Sequence, residues 1–198
     1  VIYSFGNAAY RGNEVAYNYI HDYIQPENTA GLLCGVYLDN GISGWSVHHN
    51  IIKNMPRGVF VNGGQDNNIY NNIIVESPKG IQFGTCANNK TYDAAIYKKA
   101  LEYAKENPIY FEKYSEMKKI DLENTTLRNN TVTGNLLVNS SGNVFEDNDF
   151  IKWSGKGTDN KKSNNVISDS LADFEDVENG AWYADAAAWA NENGIVNG

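Results

Sequence analysis

The sequence predicts an all-β solenoid, a right-handed parallel β-helix with an α-helical insertion and a short C-terminal helical segment. Three observations predict it. A short phrase returns every 22 or 23 residues, as Gly35-Val36-Tyr37-Leu38, Gly58-Val59-Phe60-Val61 and Gly80-Ile81-Gln82-Phe83. An apolar residue is followed three places later by Asn at Val15–Asn18, Val47–Asn50, Ile69–Asn72 and Leu127–Asn130, with Val144–Asp147 a degraded copy. The apolar runs are short, β-branched and broken by Gly and Asn, which is strand-and-turn chemistry and would break helical repeats of similar period. A coil this short cannot bury its own apolar face, so it needs a neighbour above and below.

Taken in order, "VIYSFGN" opens as a strand and "NEVAYNYIHD" supplies the next turn of the coil. The step from Asn18 to Asn50 exceeds one period, and "YIQPENTAGL" accounts for the excess as a loop. Asn at one recurring position suits a tight corner, because it tolerates left-handed backbone and its amides can bond to one another in a stack. Residues 92–120 depart from the pattern. They carry Ala, Lys and Glu at helical spacing, with Ile96, Ala100, Tyr103 and Ala104 on one face, and Pro108 divides them in two. This stretch reads as a helical insert between rungs, packing over the solenoid's flank. The β-repeat resumes near Thr125 and fades by about Asp169, so residues 1–170 form the solenoid, read as the C-terminal rungs of a longer one. From Phe174 to Gly198 the character changes to a capped, Ala-rich helix ended by Gly194, with Asp176 or Asn179 as cap.

Composition narrows function. The net charge of −8 argues against a nucleic-acid partner, which needs a basic stripe. No apolar run is long enough to insert in a membrane. Neither an initiating Met nor a charged-then-apolar leader is present, so the chain reads as cut from something longer. Cys34 and Cys86 stand two rungs apart and read as buried free thiols.

Candidate chemistry begins with two carboxylates. Asp39 ends the strand "GVYLD", and Asp66 follows Gly63-Gly64 on the next turn. Aligning Gly35 with Gly58 sets Asn62 over Asp39. Rungs about 4.8 Å apart would place the two acids roughly 5–9 Å apart, a range that spans retaining and inverting glycosidase geometry. The plainer reading makes both turn residues that bond nearby amides. His48 and His49 alternate along a strand, so they are expected on opposite faces. Three scattered histidines form no metal site, and no cofactor is expected. Arg57 and Lys79 precede equivalent glycines and share a flank, fit for an acidic sugar or for proton abstraction, with surface salt bridges the plainer account. Tyr3, Tyr37, Trp45 and Phe60 offer sugar-stacking surface or core. No nucleophile elbow and no phosphate loop is present.

Two resemblances follow from these residues. The tail, with "FEDV", "WYADA", "AWA" and "ENGIVNG", resembles the first half of an S-layer homology module over residues 174–198. That resemblance implies a bacterial, extracellular, cell-wall-associated protein held on cell-wall polysaccharide. The alternative is a simple capping helix. The stretch from Ile2 to about Asn135, carried by "RGNEVAYNYIHD", "GVYLDNGISGWSVHHNIIKNMPRGVFVNGGQDNNIYNNIIVES" and "TTLRNNTVTGN", resembles glycoside hydrolase family 141. It implies a cofactor-free enzyme that cuts plant or host polysaccharide with two carboxylates. Asp39 and Asp66 are then the catalytic candidates, with Tyr37, Trp45, His48, Asn62 and Arg57 as substrate contacts. The chain departs from that pattern: Asn7 and Asn40 stand where relatives carry acids, and Gln65 where they carry Arg. These amides favour a second expectation, a solenoid that binds glycan without cutting it. A polysaccharide lyase using Arg57 or Lys79 with a bound cation is a third, disfavoured by the lack of a dense Asp cluster.

Overall fold

The structure, a computed structural model, describes residues 1–24, 33–84, 90–125, 127–138 and 159–168. The Cys86 thiol, the Val144–Asp147 repeat and the whole tail from Phe174 lie outside the described residues.

The described chain is a parallel β-helix of three sheets. Sheet A contains β1 (Ile2–Phe5), β4 (Val36–Asp39), β7 (Arg57–Asn62) and β10 (Lys79–Gly84). Sheet B contains β2 (Glu14–Ala16), β5 (Ser46–His48), β8 (Asn68–Tyr70), β11 (Thr131–Thr133) and β13 (Lys161–Ser163). Sheet C contains β3 (Tyr19–His21), β6 (Ile51–Lys53), β9 (Ile73–Val75), β12 (Leu136–Val138) and β14 (Val166–Ser168). Every pairing is parallel, so each strand meets its equivalent one rung away.

Register turns the repeat into a core. Val36 lies beside Val59 and Leu38 beside Val61, while Val47 lies beside Ile69 and Ile52 beside Ile74. All eight are buried in one cluster. The repeated glycine has a steric cause. A Cβ on Gly58 would stand 2.5 Å from the Gly80 carbonyl oxygen and 2.9 Å from Ile74 Cγ2, and one on Gly35 would stand 2.7 Å from Ile52 Cγ2. Backbone and core side chains already fill that corner.

Asparagine closes the coil in two ladders. One runs Asn18, Asn50, Asn72, Asn135, Asn165, and the other Asn67, Asn130, Asn160. From the second member of each ladder onward, the amide oxygen accepts from the backbone N–H of the Asn one rung before it. The residue preceding each ladder position has left-handed backbone: Tyr17, His49, Asn71, Gly134 and Asn164 at one corner, and Asp66, Asn129 and Asp159 at the other. The Leu127–Asn130 repeat therefore does not continue the Val47–Asn50 series. Asn130 stacks on Asn67, and the partner of Asn72 is Asn135. The two corners stand five residues apart, so a register shift of five preserves the motif and misleads the alignment.

Between β10 and β11 the chain leaves the solenoid through α1 (Lys90–Glu106), α2 (Pro108–Lys113) and a 3-10 helix (Ser115–Lys119). The buried face of α1 carries Tyr97, Ala100 and Ala104, whereas Tyr103 is about half exposed. Together with Met117 these residues pack on Ala8 and Ala9 of the first rung. Tyr114 donates its hydroxyl to the Arg11 carbonyl at 3.1 Å, and its ring lies where a Cβ on Gly12 would stand. The insert thus straps back over the corner between sheets A and B.

Candidate functional site

Outward positions of sheet A form an aromatic strip across rungs. Tyr3, Tyr37, Phe60 and Gln82 occupy one register column. The Tyr3 and Tyr37 rings are 5.3 Å apart, Tyr37 and Phe60 stack at 5.0 Å, and Phe5 lies 6.4 Å from Tyr3. Tyr37 and Phe60 are buried, whereas Tyr3 and Phe5 are 55% and 52% exposed and present the accessible aromatic surface.

Asp39 lies beside this strip, the one carboxylate among the four strands of sheet A. It is buried. The Tyr3 hydroxyl donates to its Oδ2 at 3.0 Å, and Asn62 Nδ2 donates to its Oδ1 at 2.8 Å. Burial raises the Tyr37 hydroxyl pKa well above the usual phenol range, and hydrogen bonding to Asp39 and its charge add to the rise. Cys34 packs with Tyr37 and Phe60. Desolvation pushes its thiol up to about 11, with Arg57 opposing and Asp39 adding. At the other end of the strip, the Arg57 guanidinium lies 5.6 Å from the Phe60 ring centroid, and its Nε donates to Gln82 Oε1 at 2.7 Å.

Asp66 occupies different surroundings. It stands at the left-handed corner between sheets A and B, φ 62°, and is buried. Its Oδ2 is 2.8 Å from Arg11 Nη1, and its Oδ1 accepts from Asn129 Nδ2 at 2.9 Å. Arg128 Nη2 approaches to 3.9 Å. Arg11 is fully buried at its side chain and also reaches Glu116 of the insert at 3.0 Å. Trp45 belongs to the same corner region. It packs against the core and donates its indole N–H to the Tyr10 carbonyl.

His48 lies on the outer face of sheet B, stacked on Tyr70 at 4.6 Å. The expectation that His48 and His49 face opposite ways is corrected. Their Nδ1 atoms are 2.8 Å apart. His49 takes the left-handed corner conformation, φ 51°, which breaks strand alternation and returns its ring to the outer side, against Tyr17. The His48 Nε2 atom is buried without a hydrogen bond among the described residues, 3.7 Å from Glu14 Oε2.

Of the residues singled out in the sequence, the structure gathers Tyr37, Asp39, Asn62 and Arg57 on sheet A. Asp66 and Trp45 stand at the A–B corner, and His48 on sheet B. Tyr3 and Phe5 complete the sheet A group. The sequence marks Tyr3 only as a generic stacking candidate, and what reveals its partnership is its register over Tyr37.

A parallel β-helix with an aromatic, hydrogen-bonding outer face defines the class of protein. Residues 5–120 match the family model described as periplasmic copper-binding protein (NosD), a right-handed parallel β-helix family, and the chain belongs to this family. No curated protein and no solved structure matches the chain.

Proposed function

We propose that this chain is a glycan-holding β-helix of the cell envelope that binds polysaccharide along the outer face of sheet A without cutting it. The observation that carries the reading is the state of Asp39, whose two oxygens are held by Tyr3 and Asn62 beside the exposed Tyr3 and Phe5 rings. A fixed carboxylate with flanking phenol and amide accepts sugar hydroxyl hydrogens, and exposed rings cover the apolar face of a pyranose. The family's periplasmic description and the tail's likeness to half an S-layer homology module support a place outside the cytoplasm, with cell-wall polysaccharide as the anchoring partner.

Glycoside hydrolysis asks for a second carboxylate across the scissile bond from Asp39. Asp66 is committed to Arg11 and Asn129 instead. A lyase reading asks for a cation site, and among the described residues no group of three or more His, Cys, Asp or Glu side chains is placed to hold a metal. The same observation bears on the copper in the family's description. His48 and His49 bring two nitrogens together, but Glu14 stands on the far side of the His48 ring, so the donors do not converge on one ion. The described residues do not fit a copper site, and no step here runs through one.

The test is binding and turnover by the full chain on a panel of plant, host and wall polysaccharides, wild type beside Tyr3→Ala and Asp39→Asn. We expect affinity without release of reducing ends, and weaker affinity in Tyr3→Ala. Reducing ends released by the wild type and abolished by Asp39→Asn would replace this reading with a hydrolase.

A further inference from the structure

We infer that the polysaccharide held on sheet A is acidic, and that Arg57 and Lys79 read its sugar carboxylates. The inference rests on the glycan-holding reading above and names the substrate class of that face. Arg57 and Lys79 are register partners on adjacent strands β7 and β10, so their backbone positions stand one rung apart, about 4.8 Å along the solenoid. Both are half-buried. Neither forms an ion pair with any carboxylate among the described residues, contrary to the plain expectation of surface salt bridges. Two like charges in register repel, and a sheet keeps such a pair at a cost unless an anion neutralises it.

The Arg57 side chain is also positioned. Its Nε is tied to Gln82 Oε1 and its plane is supported by Phe60, so the fork is fixed at the end of the aromatic strip. The Nη groups, which carry no hydrogen bond to a described residue, remain for a planar carboxylate, the shape that a guanidinium matches in two parallel bonds. Gln82 shares a register column with Phe60, Tyr37 and Tyr3, so Arg57, bonded to Gln82, lies at the end of the strip, with Lys79 its register partner one rung on. A sugar polymer lying across the rungs would stack on Tyr3 and Phe5 and present a carboxylate to Arg57 and Lys79. The protein carries a net charge of −8, so general attraction to a polyanion is unfavourable and binding of one requires a local site.

The experiment compares full-chain affinity for polygalacturonate and for its fully methyl-esterified form, which share a backbone and differ in charge. The expected result is tighter binding of the acid form by roughly tenfold at low salt, a preference that shrinks as salt rises. Arg57→Gln/Lys79→Gln should remove that preference, so that the acid and the ester bind alike. Lys79→Gln alone, at the half-buried first position of β10, should remove part of it and keeps the test intact if Arg57→Gln unsettles Phe60. Arg57→Lys should restore charge without the fork and recover only part. Equal binding of both polymers, unaffected by the double variant, would overturn the assignment while the glycan-holding reading stands. No binding to any polymer of the panel would overturn both.

Discussion

Replacing Asp66 by Asn separates a structural acid from a catalytic one. In the wild type the Arg11 side chain is fully buried, the Asp66 side chain is 6% exposed, and the pair meets at 2.8 Å. Asp66 serves two partners, Arg11 through Oδ2 and Asn129 through Oδ1. An amide keeps one acceptor oxygen, so it can satisfy one of these donors and must turn an N–H toward the other. Removing one member of a buried pair costs about 3–5 kcal/mol, because the remaining charge stays buried. Glu116, 3.0 Å from Arg11 and 30% exposed at its side chain, offsets part of this. The expected loss is therefore about 2–4 kcal/mol, a large share of the 5–15 kcal/mol typical of a domain. Urea unfolding at neutral pH measures it, with unchanged m confirming that the same surface is exposed. Arg11→Met and the double variant complete a cycle, and the double should lose less than the sum of the singles, by about 1–3 kcal/mol. Glycan affinity of folded Asp66→Asn should match the wild type. Stability within about 0.5 kcal/mol of the wild type, or turnover lost without stability, would refute the reasoning.

Three further predictions follow from the same geometry. Asn72→Ala leaves the buried Asn50 N–H and the Val47 carbonyl without their amide partner, and should cost about 2–5 kcal/mol, whereas Asn18→Ala, on the half-exposed first rung, should cost about 1 kcal/mol; denaturant midpoints of the two variants compare them. Gly58→Ala drives a methyl toward the Gly80 carbonyl and Ile74 and should cost about 1–3 kcal/mol, read by the shift in thermal midpoint. Cys34, raised to about 11 by desolvation first, should resist thiol alkylation at pH 8 in the folded protein and react at once in urea. The folded thiol keeps its proton where the unfolded thiol has lost it, so stability from this group should be intact below pH 9 and decline as pH rises toward 11.

The solenoid was legible because its physics is periodic. Val47, Ile69 and Val132 fall in one register column, and their spacing in the chain carries that information. The corners were legible only in part. Asn67 and Asn72, Asn130 and Asn135, and Asn160 and Asn165 repeat at a spacing of five, each preceded by Asn, Asp or Gly, and this double signature marks two corners per rung. Reading a single Asn series misplaced Asn130 by one corner. His49 falls on the outer face for the same reason: it is a corner residue that turns the chain, and strand alternation does not run through it. The helical insert was visible from composition, but its landing place was not. Nothing local in "GNAAYRGN" announces that Ala8, Ala9 and Gly12 receive Met117, Tyr97 and Tyr114 from a hundred residues away.

Backbone position separates Asp39 from Asp66 more sharply than sequence motif does. The surroundings of the two acids diverge because one ends a strand and the other is a corner. At the corner where Asp66 stands, the left-handed position is taken by Asp66, Asn129 and Asp159, residues that tolerate this backbone, so an acid there needs no chemistry to explain it. Asn7 and Asn40 follow the same logic. Asn40 has left-handed backbone, φ 47°, and its Oδ1 lies 3.4 Å from Asn62 Nδ2, while Asn7 Oδ1 accepts from the Ala9 N–H at 2.9 Å as in an Asx turn. An acid or an amide serves these turns about equally, so exchanging one for the other keeps the coil and removes only what charge had supplied. Of the two, Asp39 is the acid that the turn does not require, outward on a strand with Phe5 as its register neighbour and Tyr3 and Asn62 as hydrogen-bond partners. On the glycan-holding reading proposed above, a ligand with hydroxyl groups to offer would account for its place beside exposed rings, and among the described strands of sheet A no second carboxylate stands ready to break such a ligand.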